Sequence, residues 1–168
     1  QNFNFKQDDG EYTAVTNNDG SFTIETNDEA VFSCLKKRPI VADVGVGAVD
    51  STAGGVTEAY QMILPSVEDA GTNTIVISPF TSLFAEAIIT AKKNLVDGLT
   101  VAEGCQSTGD NVANNISERI NELKTSIENS FGITYAELLS DFIVTPGTDV
   151  NESAARNIAR LLPPLKII

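Results

Sequence analysis

The spacing of apolar positions changes near residue 78 of this 168-residue chain. Before it, short alternating or β-branched runs are separated by glycines, a pattern typical of antiparallel strands joined by tight turns. After it, apolar residues recur at every third or fourth position, which is the period of an amphipathic helix. The pattern therefore predicts an α+β chain with a β-rich part at 1–77 and a helical part at 78–168.

The β-rich part begins with a predicted hairpin, in which residues 12–16 and 22–26 alternate around the turn sequence 17–21. Further short strands are predicted at 40–44, 46–49, 59–64 and 74–77. Turns at this spacing are typical of a small antiparallel sandwich. Since so small a sandwich buries its faces poorly alone, we expect it to pack against the helices.

The helical part is predicted to contain a bundle of helices. Their expected ranges are 78–98, 109–130, 134–143 and 151–162. Ser78-Pro79 supplies a capping hydroxyl and a proline at the first helical position. Gly132 is expected to end the long second helix. Thr134 and Glu137 have the spacing of a capping box for the third.

The charge of the chain excludes several classes of function. Its 23 acidic and 11 basic residues give a formal net charge of −12, which argues against binding to nucleic acid or to an anionic membrane surface. Histidine is absent, so His-dependent catalysis and His-ligated zinc are excluded. Apolar stretches are too short for membrane insertion. The acidic pair Asp28-Glu29 and the basic run Lys36-Lys37-Arg38 are expected to lie in solvent.

The two cysteines, Cys34 and Cys105, lie far apart in the sequence and belong to no CxxC motif. They are either free buried thiols of a cytosolic protein or a disulfide of an exported one. We favour the disulfide, which would close a long loop and contribute about 4 kcal/mol by the chain-entropy argument. It would also join the β-rich part to the helical part in one α+β unit.

Residues 2–11 have the spacing of a calcium loop. Loops of EF-hand type place oxygen ligands at alternate positions and end with a bidentate glutamate, which here is Glu11. The other ligand positions fall on Asn2, Asn4, the Lys6 carbonyl and Asp8. Two features weaken the match: the first ligand would precede Gln1, and Phe5 stands where a turn glycine is usual. The alternative is a solvated polar turn leading into the hairpin.

Residues 1–26 resemble a repeated unit of bacterial surface proteins. The resemblance is carried by Asn2-x-Asn4, Asp8-Asp9-Gly10-Glu11, Tyr12-Thr13-Ala14-Val15-Thr16 and Asp19-Gly20-Ser21-Phe22-Thr23-Ile24. These segments are similar to Cna B-type and serine-aspartate-repeat B-type modules, which are related to carboxypeptidase regulatory-like domains. The resemblance implies a transthyretin-like β-sandwich, a secreted or cell-surface location and Ca²⁺ ligands at Asn2, Asn4, Asp8 and Glu11. It also implies that the chain starts inside a module whose first strands precede Gln1.

Two later segments resemble parts of large bacterial surface proteins. Residues 76–83 resemble a [VI]-[ST]-P-[LF]-T-[ST]-L segment that opens a helical region after such a module. Residues 131–141 resemble a later element of the same architecture. This likeness implies a location and a fold, and no activity.

We therefore predict a non-enzymatic, calcium-stabilised structural or adhesive module, extracellular or at the cell surface, whose partners are other surface-protein modules or copies of itself. The apolar segment 165–168 is either a strand within its own domain or a strand donated to a neighbouring subunit. Donation would make the chain a filament subunit, a homo-polymer. A secreted carboxylate-based hydrolase is disfavoured, because few aromatic side chains are present to stack on sugars. Sequons begin at Asn115 and Asn151, and such short motifs often arise by chance.

Overall fold

The computed structural model describes residues 4–50, 54–67, 76–79, 81–84, 105–132 and 134–135. Within these ranges the helices are α1 (Glu29–Lys36) and α2 (Ser107–Phe131), and a 3₁₀ turn covers Thr81–Phe84. The strands are β1 (Ile40–Val44), β2 (Val49–Asp50), β3 (Gly54–Gly55) and β4 (Tyr60–Leu64). The predicted mixture of helix and antiparallel strand is confirmed.

The main sheet pairs β1 with β4 in antiparallel register, so that Ile40 lies opposite Leu64. β1 has the predicted bounds, and β4 begins one residue later than predicted. The prediction of a strand at 46–49 was wrong, because β2 begins only at Val49 and pairs with β3. The backbone before it turns at Gly47, whose φ is +90°, a conformation that interrupts a strand and suits glycine.

The predicted N-terminal hairpin has its turn and its register, but its arms carry no regular strand. The Asn17 N–H donates to the Ser21 carbonyl at 2.8 Å, and Gly20 has a φ of +81°, as in a three-residue hairpin loop. At the open end of the same register, Tyr12 Oη and Thr26 Oγ1 lie 3.4 Å apart. Along 22–26 half-buried and exposed residues alternate, which is the period of extended chain.

Helix α1 lies in a stretch for which the sequence analysis predicted no helix or strand. Asp28 is exposed, as expected, but it caps this helix: its carboxylate accepts the Ala30 N–H at 2.9 Å and the Val31 N–H at 3.2 Å. Glu29 in the first turn and Lys36 in the last complement the helix dipole. The capping aspartate and these two charges are therefore local signals of a helix.

Helix α2 matches the long predicted helix at 109–130. Its buried stripe consists of Val112, Ile116 and Ile120, spaced four residues apart as a core-facing helix requires. The helix ends as predicted at Gly132, which has a φ of +66° and donates its N–H to the Glu128 carbonyl at 2.9 Å. That geometry is an αL cap.

The predicted capping role of Ser78 is also confirmed, and the 3₁₀ turn that follows it contacts the sheet. The Ser78 N–H donates to Thr81 Oγ1 at 3.0 Å, and the Thr81 N–H donates to Ser78 Oγ at 3.4 Å. Ser82 Oγ accepts the Ile63 N–H of β4 at 3.0 Å. Buried Phe84 then meets Tyr135 edge to face, with ring centroids 5.3 Å apart.

Neither helix described here is long and apolar enough to cross a membrane. Several predictions fall outside the described ranges and stay predictions. They concern strand residues 74–75, the helices beyond residue 84 and beyond residue 135, and the segment 165–168.

Candidate functional site

The N-terminal loop brings three of the predicted calcium ligands together. Asn4 Nδ2 donates to Asp8 Oδ2 at 2.7 Å, and the Asp8 N–H donates to Glu11 Oε2 at 3.2 Å. The Lys6 N–H donates to Asn4 Oδ1 at 2.8 Å, which folds the chain back on itself. The fifth predicted ligand, Asn2, lies outside the described ranges.

Phe5 adopts the backbone conformation that a glycine has in a calcium loop. Its φ is +61°, a left-handed conformation that costs a non-glycine residue roughly 1–2 kcal/mol. Its side chain is only 6% exposed, and burying a Phe side chain stabilises by about 1.5–3 kcal/mol. Burial therefore offsets the strain, and the substitution of Phe for Gly does not prevent the turn.

Gln61 connects this loop to the main sheet. Its Nε2 lies 3.3 Å from the Phe5 carbonyl and 2.5 Å from Asp43 Oδ1. Because Gln61 and Asp43 are register partners in β4 and β1, the loop is anchored across the pair. No local pattern indicates this anchor, because neither residue belongs to a motif.

The donor set is compatible with a hard cation but incomplete among the residues described. Calcium takes about six to eight oxygen ligands, and the described loop offers the side chains of Asn4, Asp8 and Glu11 with the Lys6 carbonyl. No group of three or more acidic, histidine or cysteine side chains converges as a metal site within the described ranges. Asn4 Oδ1 accepts the Lys6 N–H and keeps a second lone pair that could face an ion.

A second cluster lies where α1 meets the start of α2. Cys34 of α1 forms a disulfide with Cys105, with their Cα atoms 5.6 Å apart. The bond joins residues 71 positions apart and links the β-rich part to the helical part, as predicted. It restricts the unfolded chain and contributes about 4 kcal/mol by the chain-entropy argument.

A partly buried ion pair joins the residues that follow α1 to the first turn of α2. Arg38 Nη2 is 3.1 Å from Asp110 Oδ1, and the two side chains are 2% and 50% exposed. The expectation that Arg38 lies in solvent was therefore wrong. Pro39 follows Arg38, and β1 begins at Ile40. The ion pair therefore connects the residue just before β1 to the first turn of α2. No local signal identifies the pair, because its members are 72 residues apart.

The hairpin turn carries a perturbed carboxyl group. The Ser21 hydroxyl donates to Asp19 Oδ1 at 2.7 Å, and the Ser21 N–H donates to the same oxygen at 3.0 Å. These bonds favour the charged form, the hydroxyl most, and lower the pKa of Asp19 below its ordinary value of 3.8. The group stabilises the turn and lies fully in solvent.

Comparison of the chain with protein-family models, with curated proteins and with solved structures finds no match.

Proposed function

We propose that this chain is a non-enzymatic structural or adhesive module of an extracellular or cell-surface protein, with other surface modules as its partners. The observation that carries the proposal is the Cys34–Cys105 disulfide. Disulfides persist in oxidising compartments and are rare in the cytosol. In this proposal the paired strands belong to a small sandwich and α2 belongs to a helical bundle.

The position of the disulfide supports a structural role. It joins α1, which immediately precedes the main sheet, to the residue before α2. Short two-stranded sheets have little stability of their own in water, so a covalent link to a helix stabilises them by restricting the unfolded state. A module exposed to shear or proteases gains from such a link.

The compartment is tested on protein isolated from its native source without reductant. We expect intact mass after alkylation to show two unmodified cysteines, and two modified ones only after reduction. Chain that carries two alkylated thiols without reduction would contradict the extracellular proposal. Alkylation is carried out in denaturant, so that buried reduced thiols also react and only disulfide-bonded cysteines stay unmodified.

Calcium is the second part of the proposal. Asn4, Asp8 and Glu11 already lie in contact, and Phe5 makes the turn that the loop needs. Because a ligand that binds only the folded state raises its stability, calcium should stabilise the module through this loop.

The calcium test compares two variants that each remove one negative charge. We expect 1 mM Ca²⁺, relative to chelator, to raise the Tm of the unmodified chain by about 4 °C or more. Glu11→Gln should abolish most of this shift, whereas Asp9→Asn, at an exposed position between two ligand positions, should retain it. No shift in the unmodified chain, or equal loss in both variants, would show that the loop is a solvated turn.

A further inference from the structure

The described part of the chain contains two Asp-Gly sequences, Asp9-Gly10 and Asp19-Gly20. All four residues are exposed, and the two glycines have nearly the same backbone conformation, with φ of +86° and +81°. Each pair lies in a turn that a backbone hydrogen bond closes. Sequence, exposure and backbone conformation therefore do not distinguish the two sites.

An Asp-Gly sequence can rearrange without an enzyme. The backbone nitrogen of the glycine attacks Cγ of the aspartic acid, a C–O bond of the carboxyl group breaks, and the amide proton and the hydroxyl leave as water. Water then opens the succinimide ring. When it adds at the main-chain carbonyl carbon, the original peptide bond breaks and the chain continues through Cβ as isoaspartate. No oxidant is needed and no atom is gained or lost overall. Glycine favours the reaction because it has no Cβ to obstruct the attack.

At Asp19-Gly20, hydrogen bonds hold both reacting groups. The Gly20 N–H donates to the Asn17 carbonyl at 3.0 Å. Asp19 Oδ1 accepts the Ser21 hydroxyl at 2.7 Å and the Ser21 N–H at 3.0 Å. These bonds, the hydroxyl most, also lower the pKa of Asp19, and the protonated carboxyl that must lose water is therefore less populated. The hairpin turn thus opposes the rearrangement.

At Asp9-Gly10 no such bonds oppose it. Within the described ranges, the Asp9 carboxylate accepts no hydrogen bond and the Gly10 N–H donates none. The turn is held instead by the residues on either side, through the Glu11 N–H to the Asp8 carbonyl at 3.2 Å. We propose that Asp9 is a site of spontaneous isoaspartate formation in the folded protein and that the hydrogen bonds of the hairpin turn protect Asp19.

Isoaspartate at position 9 changes the loop around it. The chain then runs through Cβ of that residue, which adds one carbon to the backbone between Asp8 and Glu11. These neighbours are joined by the backbone bond that closes the turn and by the Asp8 N–H, which donates to Glu11 Oε2 at 3.2 Å. A longer backbone displaces them, so the modification removes the arrangement proposed to hold calcium. The inference goes beyond the proposed function, and the modification itself does not depend on calcium binding.

Peptide mapping of the aged, folded, full-length chain tests the proposal. Cleavage after Glu11 places the two sites on separate peptides, and electron-transfer fragmentation distinguishes isoaspartate from aspartate. We expect isoaspartate to accumulate about tenfold faster at position 9 than at position 19, because hydrogen bonds oppose the reaction only at the latter. Ser21→Ala removes the hydroxyl donor and should accelerate the reaction at position 19 by about threefold. Its rate at position 9 should stay unchanged.

The same chain, reduced and unfolded in denaturant, shows whether the structure is the cause. There the two sites should react at rates within about threefold of each other, since no turn holds either pair. A tenfold difference that persists in the unfolded chain would assign the preference to the neighbouring sequence and overturn the proposal. Equal rates at both sites of the folded chain, or a rate at position 19 that Ser21→Ala leaves unchanged, would overturn it as well.

Discussion

Removing the carboxylate of Asp110 takes away the negative charge that lies 3.1 Å from Nη2 of the buried Arg38 side chain. Arg38 is 2% exposed, whereas Asp110 is 50% exposed. Breaking a fully buried pair costs about 3–5 kcal/mol, because a charge is left in a medium that solvates it poorly. Breaking an exposed pair costs about 0–1 kcal/mol. With water reaching one side of this pair, we expect Asp110→Ala to lower the free energy of unfolding by about 2 kcal/mol.

The same helix offers a matched control. Arg119 Nη1 lies 2.8 Å from Glu122 Oε2, and the two side chains are 60% and 66% exposed. The distance is as short as in the buried pair, but both charges keep their water. Glu122→Ala should therefore change the free energy of unfolding by less than about 0.5 kcal/mol. The comparison separates the effect of burial from the effect of distance.

Urea unfolding of the oxidised chain, followed by far-UV circular dichroism, measures both variants. A third variant, Arg38→Met, removes the buried charge while it keeps most of the side-chain volume. It should destabilise less than Asp110→Ala, since no charge remains buried. If Asp110→Ala and Glu122→Ala differ by less than about 0.5 kcal/mol, burial of Arg38 does not control the energetics and the reasoning fails.

Two further predictions concern turns. Ser21→Ala removes the strongest donor to Asp19 and should raise the pKa of that carboxyl toward 3.8, as followed by NMR titration with exposed Ser126→Ala as control. Because the pKa of Asp19 is depressed in the folded state, its stabilisation is present above pH 3.8 and is lost as the pH falls through the folded-state pKa; a titration unchanged by Ser21→Ala would refute the assigned cause. Gly132→Ala should lower the free energy of unfolding by about 1 kcal/mol. An added Cβ at Gly132 would meet no neighbour, so the cost comes from the backbone, whose φ of +66° is unfavourable for alanine. Gly55→Ala, equally open but without positive φ, should cost nothing measurable by urea unfolding, and equal costs would contradict the argument from backbone conformation.

Elements with local signals were predictable from the sequence. β1 follows from a β-branched run, and α2 follows from a long apolar stripe closed by Gly132. The Ser78 cap follows from a hydroxyl before a proline. Each signal acts within a few residues, so one sequence is enough to read it.

What the sequence missed depends on distant partners or on competing local preferences. Helix α1 is eight residues long and includes Val31 and Phe32, which favour strands when taken alone. The Asp28 carboxylate caps it, and Cys34 within it forms the disulfide with Cys105. Arg38 is buried and pairs with Asp110, and a separation of 72 residues leaves no trace in a local pattern.

For the N-terminal loop, the ligand positions were predicted from the sequence, but the contacts that hold the loop in place were not. Spacing selected Asn4, Asp8 and Glu11, and the hydrogen bonds bring these side chains into contact. Sequence reasoning counted Phe5 against the loop, whereas burial of its ring holds the required turn. The bond from Gln61 to the Phe5 carbonyl is set by the register of β1 and β4, which sequence alone does not determine.

The disulfide and the buried ion pair act on the same junction, and their spacing explains why both are present. Cys34 and Arg38 are four residues apart at the end of α1, and their partners Cys105 and Asp110 flank the start of α2. The disulfide limits how far the two segments can separate but still permits rotation about a single link. The ion pair adds a second point of contact and so fixes orientation. β1 begins directly after Pro39, so the orientation of this junction also sets the direction in which β1 starts. Within the described residues, these two long-range links therefore join the segment before the main sheet to the start of α2 at two points.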